Sequence, residues 1–577
     1  MSNLEGAPIP AYNAQDDTIH PALIAPGAVT DVNDPIEDLP YEIWDEICSY
    51  LPAGYAVKMI GVNRYFFEVG MNSIYGTVCI SDIGDKEQSK ALNQLKSFPD
   101  LALRVRHLRL SPSFLPLCNH EGEPAVHLPS RTSALVKQMS EALSNCVNLE
   151  ELEMNFHFFR APTTDFLACL SHLVDKVSSS LIHLKVVTPI IHSQLLATIA
   201  TCGCPPRLES VSIAVIPLYY SADLRGGTET LYIRPTQEHM QSFIGTTRRL
   251  LCSSSATIRK LSISNHDLLS IFPVFSDLEI GSSCQSSRFS SLESMSYECC
   301  AHPAPLSDRS TLSTFLQKSC TETLQSLSIT VSRQSQWAPV GPPSYYADFN
   351  VYREFLHSLF EEVELTRLRK LFIELPDLVD ESNFLFLRSQ LPPRLNSLVI
   401  RSLSLEHADV MKLLESIVGS YSKTQQNNCI SGDLGFQGPG PHLSHLELRC
   451  VKSFSVAQLD GMLRSFPNLK VLGLRYDFIS NRGATNMAPI QFPVGPPVTI
   501  NGTLTDRQHE AALSAFRAYN YVVKYNRPLG LRELYLHGHD PFFYRVLTEK
   551  VPQDLINSLS AALPGVKIRR GLPPVRE

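Results

Sequence analysis

Leu443-Ser444-His445-Leu446-Glu447-Leu448 is followed 26 residues later by Leu469-Lys470-Val471-Leu472-Gly473-Leu474. The shared spacing is L-x-x-L-x-L, and it recurs along most of the chain. With apolar variants it reads Val105/Leu108/Leu110, Leu149/Leu152/Met154, Leu181/Leu184/Val186, Leu208/Val211/Ile213, Ile258/Leu261/Ile263 and Leu292/Met295/Tyr297. It continues at Leu324/Leu327/Ile329, Leu368/Leu371/Ile373, Leu395/Leu398/Ile400 and Leu531/Leu534/Leu536, with a degenerate copy at Leu563/Val566/Ile568. Alternation within each copy reads as a short strand, because side chains on a strand point to opposite faces in turn. Amphipathic stretches such as Leu135–Leu143, Phe166–Val177, Tyr352–Val363 and Val456–Phe466 precede several copies and read as helices. A unit of helix, turn and strand leaves an apolar flank that only the next unit can cover. The expected class is therefore α/β: an irregular solenoid over 105–577, with parallel strands on the concave side and helices outside.

The tightest spacings between first Leu positions are 26 or 27 residues, and others stretch to 50 or 62. The additional residues fall in Tyr219–Glu238, Ser332–Tyr346, Tyr421–Gly440 and Asp477–Leu504, which carry turn-forming or polar residues and read as unordered surface loops.

The N-terminal part is different. Residues 1–33 lack periodicity and read as a disordered arm. From Leu39 the apolar residues Leu39, Ile43, Ile47, Tyr50 and Leu51 share one helical face, with Asp38 as cap, Pro40 in the first turn and Pro52 as stop. Two shorter helices are expected over Ala56–Val62 and Arg64–Tyr75. Three helices in some 40 residues enclose too little interior to stand alone, so their apolar face implies a docking surface. A connector over 77–104 would join this unit to the repeats.

The chain of 577 residues is 44% hydrophobic and 19% charged, with net charge −7. That balance gives no basic field to hold a phosphate backbone, which argues against nucleic acid. The first basic residue is Lys58, preceded by Glu5, Asp16, Asp17, Asp31, Asp34, Glu37, Asp38, Glu42, Asp45 and Glu46, unlike an ordinary presequence. No apolar run approaches the roughly 20 residues that cross a bilayer, so no membrane partner and a cytoplasmic or nuclear location are expected. Fourteen cysteines without a Cys-x-x-Cys pair read as reduced and mostly buried. Cys202 with Cys204 lacks the further ligands of a usual zinc site, and His537-Gly538-His539-Asp540, which could hold a metal, reads as a loop. Asn501-Gly502-Thr503 is a glycosylation triplet that a cytosolic chain would not use. No phosphate loop, nucleophile elbow or acid/base pair is present, so no cofactor and no catalysis are expected.

The stretch from Asp34 to Tyr75 resembles the F-box, on Leu39-Pro40-x-Glu42-Ile43, Ile47, Leu51, Val62-Asn63-Arg64 and the aromatic Phe66. Phe66 stands where that family often has tryptophan, and Ala53–Tyr55 departs from its polar link. The resemblance places the F-box at 34–76 and implies that Leu39, Pro40, Ile43, Ile47 and Leu51 are contact or module-core residues for a Skp-type adaptor, and through it a cullin. Residues 105–568 resemble leucine-rich repeats of the helix-containing kind, in particular the irregular solenoids of fungal F-box proteins. The family's asparagine, three residues beyond the last Leu position, is replaced by Ser113, His157, Pro189, His266 and Asp477 in five copies, so a looser repeat geometry is expected. Together the two resemblances imply a non-catalytic substrate receptor of an SCF-type cullin–RING ubiquitin ligase. The alternatives are a repeat scaffold without ligase recruitment, in which the N-terminal helices merely cap the solenoid, and a hydrolase or transferase built in the inserted loops.

The residues alternating with the Leu positions are expected on the open concave face. Early strands offer His107, Arg109, Glu151, Glu153, His183 and Lys185, and middle strands a run of serines. Late strands offer Lys370, Phe372, Glu374, Arg401, His445, Glu447, Arg449, Arg475, Tyr535 and His537. Arg, Tyr and Phe supply anchors at interfaces, so substrate contact is expected at Lys370, Phe372, Arg401, His445, Arg449, Arg475 and Tyr535, against a reading in which they solvate the strands. The substrate itself is an unidentified protein.

Overall fold

The apolar residues of the repeats line up across one sheet. Leu108, Leu152, Leu184, Val211, Leu261, Met295, Leu327, Leu371, Leu398, Leu446, Leu472 and Leu534 are consecutive register partners from strand to strand. All are almost fully buried. The computed structural model describes most of the chain between residues 39 and 573. Residues 1–38, 277–288, 301–308, 333–353, 375–393, 402–441, 481–505 and 539–552, with shorter stretches, lie outside the described residues. The expected arm, most of Tyr352–Val363, and nearly all of the excursions at Ser332, Tyr421 and Asp477 fall among these.

The chain divides into two compact units between Ile74 and Tyr75. In the first, α1 (Tyr41–Ser49), α2 (Tyr55–Lys58) and α3 (Arg64–Tyr75) occupy the described part. Pro40 is the N-cap of α1 rather than a first-turn residue; its carbonyl accepts from Ile43 at 3.0 Å, and no side chain caps the helix. The second helix is shorter than the apolar spacing predicts, ending at Lys58. Only Tyr65, Phe66 and Gly70 of α3 are buried, and nothing in α1 is.

The second unit is a solenoid-like α/β fold. It opens with β1 (Thr77–Ile80), α4 (Lys86–Ser97), α5 (Pro99–Ala102), β2 (His107–Leu110), α6 (Pro129–Leu143), β3 (Glu151–Asn155), α7 (Thr164–Val177), β4 (His183–Pro189), α8 (Gln194–Thr201) and β5 (Ser210–Ile216). An antiparallel hairpin, β6 (Leu218–Leu224) and β7 (Gly227–Ile233), precedes α9 (Gln237–Ser253) and β8 (Lys260–Asn265). The later strands are β9 (Ser294–Cys300), β10 (Ser326–Ser332), β11 (Lys370–Glu374), β12 (Ser397–Arg401), β13 (His445–Ser455), β14 (Val471–Ser480), β15 (Glu533–Gly538) and β16 (Lys567–Arg570). Apart from the hairpin, these form one 14-stranded parallel sheet in chain order. Helices α6 to α9 pack successively against one another, and their apolar sides join the Leu rows in one continuous core. Parallel neighbours demand a crossover between strands, which is why a helix or long segment separates each pair.

Three departures from the sequence reading have physical reasons. The stretch 77–104 carries β1, α4 and α5, and β1 pairs with β2 through Val78 and Ile80, an alternation too short to register as a repeat. The excursion at Tyr219–Glu238 is the β6–β7 hairpin followed by the start of α9, rather than an unordered loop. Leu218 and Ile233 at its base join Cys118, Ala161 and Ile191 in a second small apolar cluster, and Tyr232 donates to buried Asp267 at 2.7 Å. Burial pushes the Cys118 thiol up to about 12, so it stays protonated there. In the degenerate last copy, Ile568 rather than Val566 pairs with Leu534, two residues out of the expected frame.

The loosening expected from the missing asparagine is absent from the strand starts. A polar residue immediately before the first Leu position reaches back to a carbonyl of the preceding repeat. Asn148 donates to Leu103 at 2.9 Å, Ser180 to Val147 at 3.0 Å, Thr257 to Leu208 at 2.8 Å and Ser291 to Ala256 at 2.8 Å. At the same place in a late repeat stands Gly530, where an added Cβ would lie 2.5 Å from the Pro467 carbonyl oxygen. The backbone there is too close for any side chain. Gly530→Ala is expected to destabilise the chain by about 1–3 kcal/mol, read by thermal unfolding. Gly245→Ala, inside α9 with open space around its Cα, is expected to be neutral or to stabilise by about 1 kcal/mol.

Candidate functional site

Two surfaces carry the residues singled out by the sequence, one in each unit. In the first unit α1 has two unlike sides. Tyr41, Trp44, Asp45 and Cys48 recur at helical spacing. The Tyr41 ring lies 4.7 Å from that of Tyr65, and Trp44 lies 5.4 Å from Phe66 and 6.0 Å from Tyr65, centroid to centroid. Tyr65 donates its hydroxyl to the Asp45 carboxylate. Burial, then that hydrogen bond, raises the Tyr65 hydroxyl far above its ordinary range and keeps it a donor. This aromatic seam holds α1 to α3, and Phe66 is buried in it.

The other side of α1 is an aliphatic ridge. Leu39, Ile43 and Ile47 succeed one another at four-residue intervals and are 41%, 42% and 38% exposed. Pro40 beside them is exposed and Leu51 half-buried. None of the five belongs to the core of the module. Burying an exposed leucine or isoleucine is favourable by about 1.5–3 kcal/mol, so three in a row are a surface suited to a partner. Tyr50, at 80% exposure, extends the apolar side chains of this helix end.

On the sheet, one row of alternate positions can be followed from strand to strand. It runs Arg109, Glu153, Lys185, Ser212, Ser262, Ser296, Ser328, Phe372, Val399, Glu447, Gly473, Tyr535 and Arg569. Early positions are paired charges, with Glu153 between Arg109 at 3.1 Å and Lys185 at 2.6 Å; in the row beside it the His107 ring lies 2.9 Å from the Glu151 carboxylate. The middle serines are half-exposed. Late positions close over: Val399, Glu447, Gly473 and Tyr535 are all buried.

The expected substrate-contact residues are therefore brought onto adjacent strands, but most are engaged with one another. The Arg401 guanidinium lies over the Phe372 ring at 4.4 Å and bridges Glu374 and Glu447, each at 3.4 Å. Tyr535, expected on the open face, is 6% exposed; its hydroxyl donates to Glu533 at 2.8 Å, and Arg569 sits over its ring. Glu447, expected exposed as well, is 2% exposed. Lys370 is exposed, whereas His445 and Arg475 are half-buried. The side chain of Arg449 lies outside what is described.

Sequence reasoning missed Gly473 and the segment after β16. Pro573 is buried, and a Cβ on Gly473 would lie 3.2 Å from its ring carbons. A glycine at an alternate strand position is a signal of close backbone approach, and it was available in the sequence.

Among the described residues no group of three His, Cys, Asp or Glu is placed to hold a metal ion, and His539 and Asp540 lie outside them. Among the same residues no helix is long and apolar enough to cross a membrane.

Removing one partner of a buried ion pair strands the other charge. Arg401→Ala is expected to destabilise by about 3 kcal/mol, because Glu447 stays buried and loses its counter-charge. Arg401→Ala with Glu447→Ala should recover part of that loss in urea unfolding; a double variant no more stable than the single would show that the pair is not coupled. No family model matches the chain, and no curated protein matches it.

Proposed function

We propose that the chain is a substrate receptor of a cullin–RING ubiquitin ligase, in which an F-box at 34–76 docks a Skp-type adaptor and a leucine-rich-repeat-like solenoid holds the protein to be modified. The observation that carries this reading is the exposed ridge of Leu39, Ile43 and Ile47 on a helix whose opposite side is already committed to α3. The residues of the ridge are those that the F-box resemblance assigns to the adaptor. The sheet supports the second half, since a long parallel array offers an extended face for a partner. Catalysis in such a complex is positioning: tethering raises the concentration of a substrate lysine near the conjugating enzyme, and this chain supplies no reacting group. Its place is in the cytoplasm or nucleus.

The test is capture of the Skp-type adaptor by the full chain, by a chain lacking 34–76, and by the variant Leu39→Ala with Pro40→Ala. The full chain is expected to hold the adaptor and the deletion to lose it. The double variant should lose at least tenfold in affinity while the sheet unfolds at an unchanged temperature. A double variant with unchanged affinity, or a full chain with none, overturns the ligase reading and leaves a repeat scaffold.

A further inference from the structure

The edge of the sheet at which its strands begin changes in charge along the solenoid. In the early repeats the residue after the first Leu position forms ion pairs from one repeat to the next: Arg106 meets Glu150 at 3.2 Å, and Arg259 meets Glu293 at 3.9 Å. From β11 onward the same position reads Arg369, Asn396, Ser444, Lys470 and Arg532, without a carboxylate. Each of these offers its carbonyl to the N–H of the next, so they stand in one line across neighbouring strands. Lys370, Arg394 and Lys567 lie one or two residues from that line at the starts of their own strands. Arg369, Lys370, Arg394, Lys470, Arg532 and Lys567 are all exposed, and among the described residues none of their side chains has an ion-pair or hydrogen-bond partner. The one carboxylate at the described starts of β11 to β16 is Glu533, which is half-buried and held by Arg569 at 3.4 Å and by the Tyr535 hydroxyl at 2.8 Å.

Cations gathered on one edge repel one another and contribute nothing to folding, so they are suited to a partner of opposite charge. They form two clusters. Arg369, Lys370 and Arg394 lie at the starts of β11 and β12, and Lys470, Arg532 and Lys567 at those of β14, β15 and β16. Between the clusters Ser444 donates to the Asn396 side chain, a neutral step. Strands lie about 4.8 Å apart, so the edge from β11 to β16 is about 24 Å long, the reach of about seven extended residues. A short extended segment with carboxylates toward both ends meets both clusters at once, and complementary charge then steers the encounter and fixes the register. Nucleic acid fits less well, because a strand that continues past these six cations meets a chain whose net charge is −7 even with them included.

We propose that the edge formed by the starts of β11 to β16 is a docking site for an acidic polypeptide segment, held by Arg369, Lys370 and Arg394 at one end and Lys470, Arg532 and Lys567 at the other. The Arg401 cluster on the face of the same strands is no substitute, because its charge is already shared between Glu374 and Glu447. The inference names the class of segment that the second unit takes and rests on the reading of that unit as partner-binding.

The probe is fluorescein-labelled octaglutamate, titrated by anisotropy against the full chain, with labelled octaglutamine as the uncharged control. The full chain is expected to bind octaglutamate saturably, octaglutamine not at all, and the affinity should fall as salt is raised. Lys470→Glu with Arg532→Glu should weaken binding about tenfold or more. Lys90→Glu with Lys137→Glu, an equal change of net charge on exposed positions of α4 and α6, should leave it unchanged. No binding by the full chain, or the same loss in both variants, overturns the proposal. A labelled single-stranded oligothymidylate of equal charge that binds tighter and loses affinity with Lys470→Glu and Arg532→Glu makes the edge a nucleic-acid site and overturns it too. Should the charge-reversal variant fail to fold, Lys470→Gln with Arg532→Gln serves; it should weaken octaglutamate binding about threefold, and no change overturns the proposal. Adaptor capture is a separate readout. A chain that binds octaglutamate but no adaptor defeats the ligase reading alone, and one that captures the adaptor but not octaglutamate defeats this proposal alone.

Discussion

One backbone contact recurs at each step of the solenoid from β2 to β15. The residue after the first Leu position of each repeat offers its carbonyl to two successive N–H groups of the next. Arg106 accepts from Glu150 and Glu151, Glu150 from Ile182 and His183, and Ile182 from Glu209 and Ser210. Glu209, Arg259, Glu293, Gln325, Arg369, Asn396, Ser444 and Lys470 continue the series. A backbone donor left unpaired in the interior costs as much as a lost hydrogen bond, so this contact sets where each strand must begin. A slip by one residue would also turn every Leu position to the opposite face.

Fixing the starts of strands leaves their far ends free. Repeats 26 and 62 residues apart enter the sheet in the same register because the additional residues never pass through the shared carbonyl contact. The hairpin β6–β7 illustrates the point: it follows β5, yet β5 and β8 pair as direct neighbours. The polar side chains just before the first Leu position reinforce the same end of the sheet. In regular leucine-rich repeats an asparagine ties the turns at the opposite end. Asn265 does part of the latter job one residue early, donating to the Leu269 carbonyl at 2.7 Å and accepting from Asp267.

Period and burial were legible in the sequence because both are local. The L-x-x-L-x-L spacing placed Leu446 and Leu472 correctly in the core, and the helical spacing placed Leu39, Ile43 and Ile47 on one ridge. What escaped the sequence was long-range. Tyr535 and Lys185 occupy equivalent positions in their repeats, and alternation alone makes both exposed; only the fold shows that Tyr535 is covered. Gly473 marked the covered place, yet a single glycine in a strand does not say what approaches it. The β1 strand was missed because Val78 and Ile80 offer two apolar positions without the flanking Leu that makes a repeat visible.

The change in character along the alternate row bears on where a partner gains free energy. At the late strands the side chains with the largest anchoring capacity are already spent on one another: Arg401 on Glu374, Glu447 and Phe372, and Tyr535 on Glu533. A partner that recruited Arg401 would have to replace those contacts while Glu447 stayed buried, and an unpaired buried carboxylate is costly. Such anchors contribute shape and rigidity more than free charge. Over β5 to β10 the half-exposed serines can offer only neutral hydrogen bonds, each worth about 1 kcal/mol net. A partner on this sheet would therefore gain more from fitting between its fixed side chains than from recruiting them. Gly473 is the place on the late strands where the backbone is bare of a side chain, and Pro573 is buried against it.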